Sequence, residues 1–361
     1  MSKLSALVKR DTKLFFKDKG MFFTSLITPL ILLVIYSTFL NNVYRDIFRG
    51  SFESVGNGFI VPDKLINGCV GGQLFSSLLA VCCVTVSFCS NMLMVQDKVT
   101  GARHDLNIAP VRNSTIALGY YISTALTTLI ICLAAMGACF LYIAKTGWYL
   151  AYSDILFILL DVFLLVMFGT ALSSIVNFFL STQGQMSAVG TIISAGYGFI
   201  CGAYMPISQF GEGLQKFISF LPGTYGTSLM RNHALRGVFD EMGNQGFPNE
   251  VINEIKDSID CNLYFFGNSV RISSMYLILA ASVIILIAIY ILFNFAFIIN
   301  VSAENEPLLY ISAGYGAEND ICEAELRIKN NNGISAYSVT INYDSDMLTF
   351  IEASQSDALS G

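Results

Sequence analysis

Six long apolar stretches run along the chain, at 21–40, 68–95, 116–144, 155–180, 186–205 and 274–300. A hydrocarbon core of about 30 Å needs about 20 apolar residues of helix, so each stretch predicts a membrane span. The first carries no charge, and Pro29 within it is tolerable because a neighbouring span can satisfy the freed carbonyl. Ahead of it, residues 3–19 follow a different pattern. At 100° per residue Leu4, Leu7, Val8, Leu14 and Phe15 share one face, while Lys9, Arg10, Lys13 and Lys17 share the other. That stripe, with Asp11 falling inside its apolar side, predicts a helix lying along the membrane surface. Between the fifth and sixth stretches, 206–235 is half apolar and repeatedly interrupted. Pro206, Gly211, Gly213, Pro222 and Gly223 break it, with Phe210, Leu214, Phe217, Ile218, Phe220 and Leu221 between them and Tyr225 beyond. It reads as short helices in a re-entrant or interfacial segment on the outer side rather than a span. The predicted fold is therefore an all-α polytopic membrane protein with six transmembrane helices, an N-terminal interfacial helix and an outer re-entrant segment.

Composition supports a membrane protein. Apolar residues make up 54% of the 361, charged residues 13%, and Phe alone occurs 28 times, too apolar for a globular surface. The net charge of −6 divides unevenly: residues 1–301 sum to +2 and residues 302–361 to −8. A boundary near 302 follows, giving a transmembrane domain over 1–301 and a separate segment over 302–361. Short-loop basic residues set the orientation. Lys3, Lys9, Arg10, Lys13, Lys17 and Lys19 precede the first span, and Lys98, Arg103 and Arg112 lie between the second and third, against Lys145 alone between the third and fourth. The chain is expected in the cell (plasma) membrane with its N-terminus cytoplasmic. Cys82, Cys83, Cys89, Cys132, Cys139 and Cys201 lie inside apolar runs, and no CxxC pair suggests a metal or redox site; free thiols are expected, including Cys69, Cys261 and Cys322.

An ionisable group within a span costs about 3 kcal/mol or more at mid-membrane and needs a reason. Asp161 is the clear case, one helix segment of about 10 Å inward from Asp154 at the outer border. It either lines a polar cavity or bonds to a neighbouring span as structural glue, and the second reading carries slightly more weight. The second span is rich in small polar residues, from which Gln73, Ser77 and Asn91 are further pathway candidates, although such residues often only permit close helix packing. His104 and His233 stand isolated in sequence. Neither a metal site nor a catalytic constellation is expected, and nucleic acid is not an expected partner.

Three stretches together resemble the permeases of ABC-2 type transporters. The first is Arg10-Asp11-Thr12-Lys13-Leu14-Phe15-Phe16-Lys17-Asp18, running into the span that contains Pro29. The second runs from Asp97-Lys98-Val99-Thr100-Gly101-Ala102-Arg103-His104-Asp105-Leu106 to Pro110-Val111 and Leu118-Gly119-Tyr120. The third is Gly202-Ala203-Tyr204-Met205-Pro206 followed by Leu214-Gln215, Leu221-Pro222, Thr224-Tyr225 and Arg231. The 97–110 stretch departs from the commonest form, which has an acidic residue where His104 stands. The resemblance implies an exporter subunit that is not itself an enzyme. It moves a drug, lipid or other amphipathic cargo with ATP hydrolysed by a separate ABC ATPase subunit. It pairs with a second permease copy, as a homo- or heterodimer. No cofactor is expected in this chain, since ATP and Mg would sit on the partner; the sequence has no G-x-x-x-x-G-K-[ST]. Docking of the ATPase falls, on this resemblance, to Asp97, Lys98, Arg103, His104 and Asp105, and capping of the outer pathway to the segment of Pro206, Leu214, Pro222 and Tyr225.

After Asn300 the pattern switches to period two. Residues 323–329 alternate, Asn330-Asn331-Asn332-Gly333 turns the chain, and 336–344 alternate again. This resembles the opening of a cohesin domain and predicts an incomplete β-sandwich fragment with open edges. It raises a rival function, a membrane-anchored scaffold displaying a cohesin-like module for dockerin binding. A scaffold needs one anchor span, so six predicted spans favour the permease.

Overall fold

The computed structural model describes residues 3–35, 38–39, 41–55, 62–108, 111–304, 308–311 and 326–329. Two compact units emerge, 1–297 and 298–361. The first is helical apart from one short hairpin. It opens with α1 (Lys3–Lys17), α2 (Lys19–Ile35), α3 (Asn41–Val55), α4 (Asp63–Ser90), α5 (Met92–Val99) and α6 (Ala102–Ile108). It continues through α7 (Asn113–Thr146), α8 (Tyr152–Phe178), α9 (Gln183–Ile200), α10 (Glu212–Ile218), α11 (Pro222–Asn244) and α12 (Asn249–Ser258), then the hairpin of β1 (Tyr264–Phe265) and β2 (Asn268–Ser269), and reaches its boundary at Phe297 within α13 (Ile272–Glu304).

Helix α4 is the hub. It is buried along almost its whole length and packs against α2, α3, α7, α8, α9 and α11. Small residues make that crowding possible by letting backbones approach. A Cβ at Gly72 would come within 2.5 Å of the Leu235 side chain and 3.0 Å of the Ala234 carbonyl on α11. One at Gly169 on α8 would sit 3.0 Å from the Cys83 carbonyl. The hydroxyls of α4 are mostly turned onto their own helix: Ser76 donates to the Gln73 carbonyl, Thr85 to Val81 and Ser87 to Cys83.

Among the described residues, four helical segments are long and apolar enough to cross a membrane: the continuous 63–99 of α4 and α5, then α7, α8 and α13 over Ile272–Asn294. The pair α1 and α2, bent by 75° between them, makes a fifth if it is one span. Against the six expected, four or five spans thus qualify by length and composition among the described residues. In the expected first span the helix runs over Lys19–Ile35, and residues 36, 37 and 40 lie outside the described residues. The expected fifth span corresponds to α9, whose 18 residues reach about 27 Å. Gln183, Gln185 and four glycines dilute its hydropathy, and it ends at Ile200 rather than 205.

Two further expectations change. The 41–67 loop contains α3, whose Tyr44 and Phe48, one turn apart, are buried against α4 while Arg45 donates to Asn67 (2.5 Å). Pro222 does not break the 206–235 segment into short pieces. It occupies the first turn of α11, where its missing N–H costs nothing, and the helix then runs 23 residues between α4 and α8. Only the 3₁₀ turn Ile207–Gln209 and the seven-residue α10 are short.

In the second unit β3 (Leu308–Ile311) pairs antiparallel with β4 (Leu326–Lys329), Leu308 facing Lys329 and Ile311 facing Leu326. Of the alternation at 323–329, Leu326–Lys329 forms a strand, with an upstream partner that the pattern did not single out, and 323–325 lie outside the described residues. The turn at 330–333, the alternation at 336–344 and Cys322 lie outside the described residues.

Candidate functional site

The amphipathic α1 lays Leu7, Asp11 and Phe15 inward, one per turn. Leu7 sits against α7, where a Cβ at Gly119 would be 3.1 Å away. This explains why an acidic residue interrupts the apolar stripe. Asp11 is buried and accepts from the neighbouring Arg10 at 2.7 Å. Burial pushes its carboxyl up to about 6, against the pull of Arg10. The same guanidinium reaches across 87 residues and grips Asp97 with both terminal nitrogens, at 2.8 and 3.2 Å. Such bidentate pairs combine charge with fixed geometry. Tyr120 on α7 donates to the same carboxylate at 2.6 Å. Asp97 therefore ties α1, α5 and α7 together.

Its neighbour Lys98 also points inward. The ammonium donates to the carbonyls of Asn177 (3.2 Å), Phe178 (2.5 Å) and Leu180 (3.0 Å). Those carbonyls lie at and just beyond the C-terminal end of α8, where a cation is favoured by the helix dipole. Of the remaining candidates on α6, Arg103 is half-buried with its guanidinium 5.5 Å from the Tyr120 ring, and Asp105 is exposed. The side chain of His104 and all of Pro110 lie outside the described residues. The four charged candidates whose side chains are described thus divide: Asp97 and Lys98 hold the segment to the bundle, while Asp105 is exposed and Arg103 half-buried. Helix α13 passes this end of the bundle at Tyr290, whose hydroxyl reaches Met94 Sδ (3.5 Å) and the Ala117 carbonyl (3.4 Å).

The interior holds a second polar system. Asp161 is fully buried, accepting from Tyr276 on α13 at 2.6 Å and sharing a 2.6 Å hydrogen bond with His233 Nδ1 on α11. Phe157 stacks on the imidazole at 4.9 Å, and Arg236 lies over Phe157 while pairing with Asp154 at 2.6 Å and Ser153. Both Asp161 oxygens are used, joining α8 to α11 and α13. Farther along α11, Arg231 is 1% exposed. It donates to the carbonyls of Ile259 (2.5 Å) and Gly202 (2.8 Å) and to Ser77 (3.4 Å), and lies 3.5 Å from Asp260. Asn91 donates to Ser173 and Ser174, both at 3.0 Å, and accepts from Thr124. Gln73 is buried beside the Tyr44 hydroxyl, but its amide makes no good hydrogen bond among the described residues. Of the outer candidates, Pro206 starts the 3₁₀ turn, Leu214 is exposed on α10, Pro222 opens α11, and Tyr225 donates to the Ser219 carbonyl at 2.5 Å.

A protein-family model settles what this helical arrangement is. The model for the ABC-2 type transporter matches residues 2–234, from α1 into α11. The chain belongs to the ABC-2 type transporter family. It is a multi-pass membrane protein and the membrane component of a transport system. No curated protein matches it. The match takes in the Arg10–Asp97–Tyr120 junction, Asp161, His233 and Arg231 of this ABC-2 permease. Sequence reasoning named Asp97 and Asp161 but missed their partners. Arg10, Tyr120, His233 and Tyr276 lie 87, 23, 72 and 115 residues away, and no local spacing links them.

Proposed function

We propose that this permease is the membrane half of an exporter whose ATPase docks on α6. The Arg10–Asp97–Tyr120 junction carries this reading. A short helix transmits a push from outside only if it is rigidly fixed to the spans. Asp97 and Lys98 provide that fixation to α1, α7 and α8, leaving exposed Asp105 and half-buried Arg103 to meet a partner. The basic residues of α1 lie at the same end, as expected of a cytoplasmic face, so the N-terminus and α6 are cytoplasmic and the membrane is the plasma membrane. ATP and Mg bind the partner. A second permease copy completes the pathway, and the cargo is a drug, lipid or other amphipathic molecule moved outward.

Asp161 and Asn91 serve in this reading as helix-to-helix fasteners, whereas Gln73, with Ser77 one turn on, remains the pathway candidate because its buried amide is not well satisfied. The test is an Arg103→Ala/Asp105→Ala double variant. Membrane insertion and the unfolding midpoint should hold, while affinity for the ATPase should fall about tenfold, as loss of one interface anchor does, with export falling alongside. Undiminished ATPase binding and export in that variant would refute docking on α6.

A further inference from the structure

At the end of the bundle opposite α6, the chain displays aromatic side chains that nothing among the described residues covers. Phe220, Phe265 and Phe266 form one ring cluster, with centroids 5.3, 5.8 and 4.9 Å apart and edge-to-face tilts. Phe220 is 61% exposed and Phe266 57%, and α10 adds exposed Leu214 and Phe217. The hairpin that carries two of the rings is a two-residue turn. Phe265 faces Asn268, with Phe266 and Gly267 at the tip and both at positive φ, +48° and +83°. Turns of this kind favour Asn-Gly, because a bulky residue in the left-handed region is strained. The phenylalanine at the tip therefore costs stability and returns no packing in the core. A strained residue in a fixed place points to use.

Position identifies the surface it meets. The tip lies five residues before Ile272, where α13 enters the membrane. The other end of α13 packs on Met94 and Ala117 beside α6, so the hairpin sits where the span meets the opposite leaflet. Its root is held by Val270 donating to the Leu263 carbonyl (2.8 Å) and Tyr264 to Asp257 (3.1 Å). The headgroup regions add several ångströms beyond the hydrocarbon on each side, and amphipathic elements lying at that boundary bury Trp, Phe and Leu side chains into it. We infer that Phe220, Phe265 and Phe266, flanked by Leu214 and Phe217, form an aromatic wedge seated in the lipid headgroup region of the leaflet at the α13 entry.

This inference rests on the chain crossing a membrane and is independent of ATPase docking. The chain has one tryptophan, Trp148, so Trp148→Phe gives a silent background for a single reporter at Phe266→Trp. In phosphatidylcholine/phosphatidylglycerol vesicles the full-length protein should show fluorescence strongly quenched by lipids brominated at acyl carbons 6 and 7. Lipids brominated deeper should quench less, and aqueous iodide scarcely at all. A second reporter, Phe220→Trp, should behave alike, and covers the case in which the tip variant fails to fold. Quenching by iodide without lipid quenching would mean the rings face water. Protection from both would mean that protein, such as a second copy, covers them. Either result overturns the wedge.

Discussion

Replacing Arg231 with methionine should destabilise the folded permease by about 3–5 kcal/mol, the cost of removing one side of a buried charge pair. The guanidinium is 1% exposed and holds the carbonyls of Ile259 and Gly202, Ser77 on α4, and Asp260. Methionine fills a similar volume but leaves two carbonyls without their donor and a buried carboxylate without its counter-charge. Arg231→Lys should rescue little, because one ammonium cannot reach acceptors spread around a planar fork. Adding Asp260→Leu to Arg231→Met should recover part of the loss by removing the stranded charge. The recovery is incomplete because the Ile207 N–H also relies on Asp260, at 2.8 Å. Thermal unfolding in detergent reads all four proteins. An Arg231→Met variant unfolding with the parent would mean that Arg231 does not hold this end together.

The junction at Asp97 should show the second-largest effect. Asp97→Ala leaves the Tyr120 hydroxyl buried without its acceptor and releases a half-buried Arg10. The expected loss is about 2–3 kcal/mol, lower than for Arg231 because solvent screens the exposed part of Arg10. The functional effect should be larger than the stability effect. With the Asp97 anchor gone, α6 can move without moving α1 and α7, so ATP hydrolysis should continue while export fails. Arg10→Ala should reproduce that uncoupling more weakly, since Tyr120 still holds Asp97. Export by Asp97→Ala matching the parent, at equal amounts of inserted protein, would show that the junction carries no work.

What the sequence disclosed followed from periodicity, and what it hid followed from distance along the chain. The 100° stripe of α1 was legible, but Asp11 read as a flaw, because its place depends on Arg10 and on a surface of α7 more than a hundred residues away. Pro222 and Gly223 read as breakers, yet a proline is harmless in a first helical turn and the glycine is a contact point: a Cβ there would meet the Tyr197 hydroxyl at 2.5 Å. The charges of 41–55 masked the turn-spaced Tyr44 and Phe48 that dock α3. Apolar content alone read α9 as a full span, although the helix is short and glycine-rich. Of the site, Asp161 was visible as a charge where a charge is costly. His233 looked isolated because its carboxylate lies on another helix.

The most direct measurement is photo-cross-linking from position 105 in native membranes. A photoreactive phenylalanine analogue in place of Asp105, at the exposed surface of α6, should join the permease to a polypeptide that also takes up azido-ATP. The same analogue in place of Phe266, at the opposite end, should give no nucleotide-labelled product. Labelling by azido-ATP of a product formed from position 266, together with none from position 105, would contradict a permease driven through α6 by a separate ATPase.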